Sequence, residues 1–501
     1  MLKLRTILTT ALLFIFCSIA LVRNGAAQET SIVKGLLLNE TTNAPLPYAN
    51  VAVLTKSGGT ITNETGSFSI DISTLSKEDS LSFLFIGYAT KNVSITDFKN
   101  NPTIYLKEAV FNLSEAFVFS EEKDPEQIIK RVLKNKGKNY KRMNKKNQVF
   151  IRSQYVTDIN HFSMKFKKSS FAKLDNKMTQ YIEKKVPKHS ISYTDFLGEL
   201  YFSEQKKDTL KIVPIKMVSL KEKDLADLEQ LESIFEKMFK NTHEKEYWKV
   251  KSGIIGSEIE LNDEAKNDSI KDPNSSKFQS RYYRESVNKK LNELINDKKK
   301  WEFLHSTSKY NYQLVGGTRF NGENVYIIDF DPNNKSGKYI GRVYIAMETY
   351  ALVKADYEYA PGKNGTNIKL LGIGYFQNLF SNSVSYEKEN GYYQLKYCSQ
   401  KTGKKTTFNR NVSLLKKRKR FFWDKKLNEI KVRLNVSLNS EITSEFFVLS
   451  EEGISSTEYL QAKQPKYIKV IYVDQFDDKL WKGYSTIEPT KQMRAYKKQG
   501  L

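Results

Sequence analysis

Residues 33–54 read VKGLLLNETTNAPLPYANVAVL, 58–72 read GGTITNETGSFSIDI, 79–95 read DSLSFLFIGYATKNVSI, and 101–110 read NPTIYLKEAV. Val33 to Leu38 is a short β-rich run closed by the polar cluster Asn39-Glu40-Thr41-Thr42-Asn43, a turn signal. Pro45 and Pro47 hold the next segment extended and out of any helix. Phe68 and Ile70 alternate with Ser67, Ser69 and Asp71, the pattern of a strand buried on one face. Leu81, Phe83 and Phe85 repeat that alternation, and Val93-Ser94-Ile95 and Thr103-Ile104-Tyr105-Leu106 follow as further strands. About seven short strands punctuated by turns predict a Greek-key sandwich.

Four pieces in order, Gly35, NAPLPYANV (43–51), TNETGSFSI (62–70) and FLFIGYATKNVSI (83–95), resemble the carboxypeptidase-like regulatory domain. The resemblance implies a transthyretin-like or immunoglobulin-like sandwich without catalytic residues, placed at the start of cell-envelope proteins of Bacteroidetes. Its expected span is 29–108.

Ahead of it, residues 1–28 carry the marks of an export signal. Lys3 and Arg5 precede an apolar run from Leu8 to Val22, and Ala26-Ala27-Gln28 offers small residues for cleavage. Fifteen apolar residues are short for a membrane span, and Cys17 sits inside the run rather than at its end, against lipid attachment. Removal of the signal leaves Cys398 alone, so the expected exported protein holds together by burial and not by disulfides. With 81 Lys and Arg against 57 Asp and Glu, the net charge is +24. Export makes anionic lipid, lipopolysaccharide phosphate or an acidic protein surface the expected partner, and not nucleic acid.

Residues 109–123 read as a linker and 124–501 as a larger β-rich domain, so the fold class is mainly β with α (α+β). Asp124 caps a helix over 124–137 with Pro125 at its first position and Ile128, Ile129, Val132 and Leu133 on one face. Leu225, Leu228, Leu231, Phe235, Met238 and Phe239 recur at helical spacing over 221–242, and a third helix is expected over 283–299. Strands are expected at 149–151, around Phe166, at Tyr181-Ile182 and 198–202, and then repeatedly from Val325 to Tyr472. DPEQIIKRVLKNKGKNY (124–140) and WKGYSTIEPTKQM (481–493) resemble segments of one subset of the same envelope proteins. The 322–353 meander, GENVYIIDF followed by GRVYIAMETYALV, resembles the sheet of periplasmic lipoprotein carriers, which implies a LolA-like half-barrel. The later strands carry too many charges on both faces for an outer-membrane barrel.

No catalytic, cofactor or metal set is legible. His243 and Glu246 have the H-x-x-E spacing of zinc carboxypeptidases, but the surroundings lack such an enzyme's strand-helix order, and Glu246 reads as part of a solvated helix end. Gly372-Ile373-Gly374 reads as a strand irregularity. The most unusual segment is Lys416-Lys417-Arg418-Lys419-Arg420-Phe421-Phe422-Trp423, five cations ahead of three aromatics. It is the candidate contact with a membrane or anionic partner; the alternative is a basic turn followed by a strand that faces the core. The sequence supports a non-catalytic envelope binding or accessory protein associated with an outer-membrane assembly in the periplasm or at the outer membrane. A lipid or lipoprotein carrier and a hydrolase with an unrecognised site stay open.

Overall fold

A computed structural model describes residues 32–496, apart from 56–58, 74, 112–123, 172–173, 205–209, 221–245, 254, 260–274, 294, 334–335 and 485. The segments read as an export signal, as most of the linker and as a helix over 221–242 lie outside the described residues, as does His243.

Seven strands build the N-terminal module: β1 (Ile32–Asn39), β2 (Asn50–Val53), β3 (Gly59–Ile61), β4 (Ser67–Asp71), β5 (Ser80–Leu84), β6 (Lys91–Ser94) and β7 (Thr103–Leu106). They form two sheets, β4-β1-β7 and β3-β2-β5-β6, over a core containing Leu37, Val51, Phe68, Phe83 and Phe98. The rings of Phe68, Phe83 and Phe98 lie 5.6 to 6.2 Å apart. Gly35 is required where β1 passes this cluster, because a Cβ there would sit 2.3 Å from Phe68 Cζ. Ile95, expected at the end of a strand, instead opens helix α1 (Ile95–Asn100): the Ser94 hydroxyl accepts the Asp97 N–H and ends β6 with an N-cap.

The rest of the chain supplies β8 (Val110–Phe111), β9 (Lys145–Ser169), β10 (His189–Phe202), β11 (Lys211–Leu220), β12 (Glu246–Ser252), β13 (Ile255–Ile259), β14 (Ser275–Gln279), β15 (Tyr310–Phe320), β16 (Glu323–Pro332), β17 (Tyr339–Ala346), β18 (Leu352–Tyr359), β19 (Asn367–Leu370), β20 (Ile373–Glu389), β21 (Tyr392–Arg418), β22 (Lys425–Gly453) and β23 (Tyr467–Val473). These make one 16-stranded sheet in the order β14-β23-β11-β10-β9-β22-β21-β20-β18-β17-β16-β15-β8, with β12, β13 and β19 added at its sides. Val110 and Phe111, inside the span read as a linker, pair with Thr318 and Gly317 and so tie the end of the N-terminal module to the sheet.

Helices cover one face of this sheet. Ile128, Ile129 and Val132 of α2 (Pro125–Asn139) pack with Phe303 and Leu304 and with strands β15 to β18 and β20. Met178, Tyr181 and Ile182, expected partly as strand, belong to α3 (Asn176–Lys185), which Asp175 caps. It lies beside β9 beyond Asp158, where β10 has ended, and the Met164 N–H donates to Glu183 instead of to a neighbouring strand. Val287 of α4 (Ser280–Glu293) packs on β9, β10, β11, β22 and β23.

The opposite face receives the C-terminal segment and the N-terminal module together. Trp481, Ile487, Met493 and Tyr496 pack with Phe150, Tyr193, Leu197, Phe447 and Ile61 in one cluster. Thr60 Oγ1 donates to the Thr486 carbonyl and Asn63 Nδ2 to the Glu488 carbonyl, while the rings of Tyr48 and Tyr397 stack at 4.7 Å. Lys354, buried on this face, lies 4.5 Å from the ring of Phe85.

Beneath these contacts Arg152 of β9 clamps Asp195 of β10 through two hydrogen bonds of 2.8 and 2.7 Å, and its Nη1 donates to the Ile487 carbonyl at 2.8 Å. Both side chains are buried, Asp195 completely. Asp195→Ala would strip the buried guanidinium of the carboxylate that takes two of its hydrogen bonds and is expected to destabilise the protein by about 3–5 kcal/mol, read as a lower denaturant midpoint.

Candidate functional site

Three strands run far past the helix-covered body. β9 spans 25 residues, β21 spans 27 and β22 spans 29, and their far halves form an arm. Along it Val432 pairs with Phe166 and Val412, Leu434 with Met164, and Val436 with Phe162 and Phe408, so one face is apolar and half-buried. Lys165, Lys431 and Arg433 alternate with them on the other face. On the flank of the arm, Leu371 and Gly372, at φ 48° and 79°, make the two-residue turn between β19 and β20; the glycine pair read as a strand irregularity borders a hairpin. Ile368, Leu370 and Leu371 are exposed there.

The candidate segment 416–423 forms the tip of this arm. Phe421, Phe422 and Trp423 are 95%, 82% and 80% exposed in the turn between β21 and β22, with Phe422 meeting Phe421 edge to face and Trp423 at a tilt. A strand start facing the core is thereby ruled out for them. Half-buried Lys417 aside, the cations divide into two groups. Lys416 is buried and its Nζ lies 3.0 Å from Glu246, while Arg418 reaches the other oxygen of the same carboxylate at 2.6 Å. Lys416 is therefore part of the arm's framework and does not reach a surface ligand. Lys419 and Arg420 are exposed beside the aromatics, with Lys419 Nζ 5.6 Å from the Tyr247 ring centroid. Tyr247 also donates to Asp424, which holds that carboxyl below its ordinary pKa.

Glu246, read as a solvated helix end, is instead the first residue of β12, buried between two cations. A carboxylate so occupied is a poor zinc ligand. His305, at the end of a short helix (Glu302–His305) ahead of β15, has its Nε2 3.0 Å from the Ile295 carbonyl. Among the described residues no group of three or more His, Cys, Asp or Glu side chains could hold a metal ion.

Acidic residues do gather on the inner face, where Asp195, Glu445 and Glu488 surround Arg152. Burial pushes the Glu445 carboxyl up to about 7; Arg152 opposes this, and Glu64 and Asp195 add to it. The void that Arg152, Glu445 and Glu64 line with Tyr193 and Met493 is about 20 Å³. That is space on the order of one water molecule and no more, so the cluster belongs to the seam between layers. A carboxyl whose pKa is raised on folding binds its proton more tightly in the folded state, so stability falls as pH rises from the unfolded value near 4.5 to about 7 and is level above it. Glu445→Gln is expected to flatten that part of the melting-temperature profile and to raise Tm at pH 8.

A second feature lies on the helix-covered face. A cavity of about 320 Å³ opens where α4 and Trp301 bracket strands β9, β22, β21 and β20. Sequence reasoning missed it, because its walls come from segments as far apart as Ile151 and Phe446 and no local motif marks them.

Residues 33–118 match the family model described as CarboxypepD_reg-like domain. The N-terminal module is a CarboxypepD_reg-like domain. Gly35, the Asn63 to Gly66 turn and Phe83, on which the likeness rested, are respectively the close approach to Phe68, the turn in which Asn63 Oδ1 accepts the N–H groups of Thr65 and Ser67, and a core ring. This domain accounts for the sandwich and leaves the large sheet unassigned. No curated protein matches the chain. A solved structure of a domain from Vibrio parahaemolyticus, titled as outer membrane lipoprotein-sorting, aligns over 67% of this chain and 97% of its own at 10% identity. Its TM-score is 0.19, too low to carry an argument about the large sheet. Among the described residues no helix is long and apolar enough to cross a membrane.

Proposed function

We propose that the chain is a non-catalytic accessory protein of the cell envelope, held on an anionic membrane surface by the tip of its β21–β22 arm, where it serves an outer-membrane assembly. The observation that carries this reading is the run Phe421-Phe422-Trp423, almost fully exposed beside Lys419 and Arg420. Burying one such ring is worth about 1.5–3 kcal/mol, and a cation near an anionic surface about 1 kcal/mol. Aromatic rings with basic neighbours suit the headgroup region, where the rings meet the acyl boundary and the cations meet phosphate. The CarboxypepD_reg-like domain fits an accessory role, since the resemblance implies no catalytic residues in it.

Trp423 is the exposed member of four tryptophans; Trp248, Trp301 and Trp481 are at most 4% exposed. Vesicles containing phosphatidylglycerol are therefore expected to shift the tryptophan emission to the blue, and Trp423→Phe to remove the shift. Replacing Phe421, Phe422 and Trp423 by Ala should weaken vesicle binding at least about a hundredfold. Lys419→Gln with Arg420→Gln should weaken it about thirtyfold on anionic vesicles, remove most of its salt dependence, and leave neutral vesicles unaffected. Equal binding by the triple-alanine variant in co-sedimentation would overturn the reading. A tagged chain extracted in mild detergent is expected to retain an outer-membrane protein through a salt wash.

A further inference from the structure

The cavity on the helix-covered face has the chemistry of a ligand site. It lies in the seam between two helix-packed cores, one built around Trp301, Phe303 and Tyr357 and the other around Ile151, Val287 and Phe446. Its volume of about 320 Å³ is within the range of small-molecule pockets. Met217, Val287, Leu291 and Leu395 supply apolar walls, and three exposed aromatics, Tyr155, Phe278 and Tyr282, stand around it.

The charged groups among the described lining residues are of one sign. Lys290 and Lys300 line the cavity, with Lys290 Nζ donating to the Ser444 hydroxyl. Among the described residues that line it there is no Asp or Glu. Both lysines pull the Cys398 thiol down electrostatically, although burial is the larger effect and pushes it up to about 11. The Tyr357 hydroxyl, in a side chain only 4% exposed, has no hydrogen-bond partner, with Asn382 alongside but outside bonding geometry. A buried unpartnered hydroxyl in the wall of a cavity is a position at which a ligand atom would be stabilised.

We infer that this cavity binds a single-chain anionic amphiphile, its acyl chain between α4 and the sheet and its carboxylate or phosphate at Lys290 and Lys300. The apolar walls select a hydrocarbon chain, and the two ammonium groups select a negative headgroup. The site is independent of the arm: it uses neither the tip aromatics nor the cations beside them.

The test is tryptophan quenching by a brominated fatty acid, with Trp423→Phe in the full chain so that the tip contributes nothing. Saturable quenching of Trp301 below the micelle concentration is expected. Across unbrominated fatty acids competing for the site, each added methylene should tighten binding about fourfold until the cavity is full. Lys290→Gln with Lys300→Gln should weaken the fatty acid about tenfold and leave an uncharged monoacylglycerol unchanged. Lysophosphatidylglycerol in the same competition tells whether carboxylate or phosphate is preferred. Ser444→Phe, which fills the cavity from the sheet, should abolish quenching; the lysine pair, placed at a helix surface and a loop, keeps the test valid if that variant does not fold. Quenching that never saturates, or a double glutamine variant that weakens both ligands equally, overturns the inference. The triple-alanine tip variant should bind the fatty acid normally, which separates failure here from failure of the membrane reading.

Discussion

The architecture hangs on the guanidinium of Arg152. A charge taken out of water needs both a counter-charge and occupied N–H groups, and three elements meet that need: β9 supplies the arginine, β10 the aspartate, and the C-terminal segment the carbonyl of Ile487. The segment held in this way then presents the carbonyls of Thr486 and Glu488 to Thr60 and Asn63 of the CarboxypepD_reg-like domain. The last described residues of the chain thus form the layer between its first domain and its largest sheet. Loosening the clamp would disturb the seat of the sandwich before it disturbed the sandwich itself, whose core around Phe68, Phe83 and Phe98 is separate.

The two faces of the large sheet are specialised by what packs on them. One carries the sandwich and the C-terminal segment, where charged and hydroxyl groups are matched closely and the void beside Arg152 is small. The other carries helices, which meet a sheet along ridges and leave a seam where two of them diverge. The cavity lies in that seam. Its lining alternates along each strand with the residues of the clamp: Ile151 and Ser153 face the helices, and Arg152 between them faces the C-terminal segment.

The sandwich was legible because its signals are local. Alternation over four or five residues and turns such as Asn63 to Gly66 specify the strands within a short window. The large sheet was legible only as fragments. β21 and β22 run unbroken for nearly thirty residues, yet charges on the outward face and the change from a body with two covered faces to a two-sided arm interrupt the pattern. Tyr181-Ile182 looked like strand because two bulky residues stood together; the Asp175 cap and the spacing to Met178 decided for helix. The basic and aromatic segment was recognised by composition, but its two kinds of lysine were not separable without Glu246. That carboxylate is 170 residues away from Lys416 in sequence and adjacent to it in space. The cavity had no sequence signal because each lining residue is an ordinary member of its own strand or helix.

The length of the arm sets a distance. From Trp423 to Ser444, the first residue of β22 at the cavity, the chain advances 21 residues, and at about 3.3 Å each this is a reach on the order of 70 Å before twist shortens it. A protein resting on a bilayer by its tip would hold its helix-covered body well clear of the lipid headgroups. The space beneath it would be wide enough for another folded domain to stand between body and bilayer.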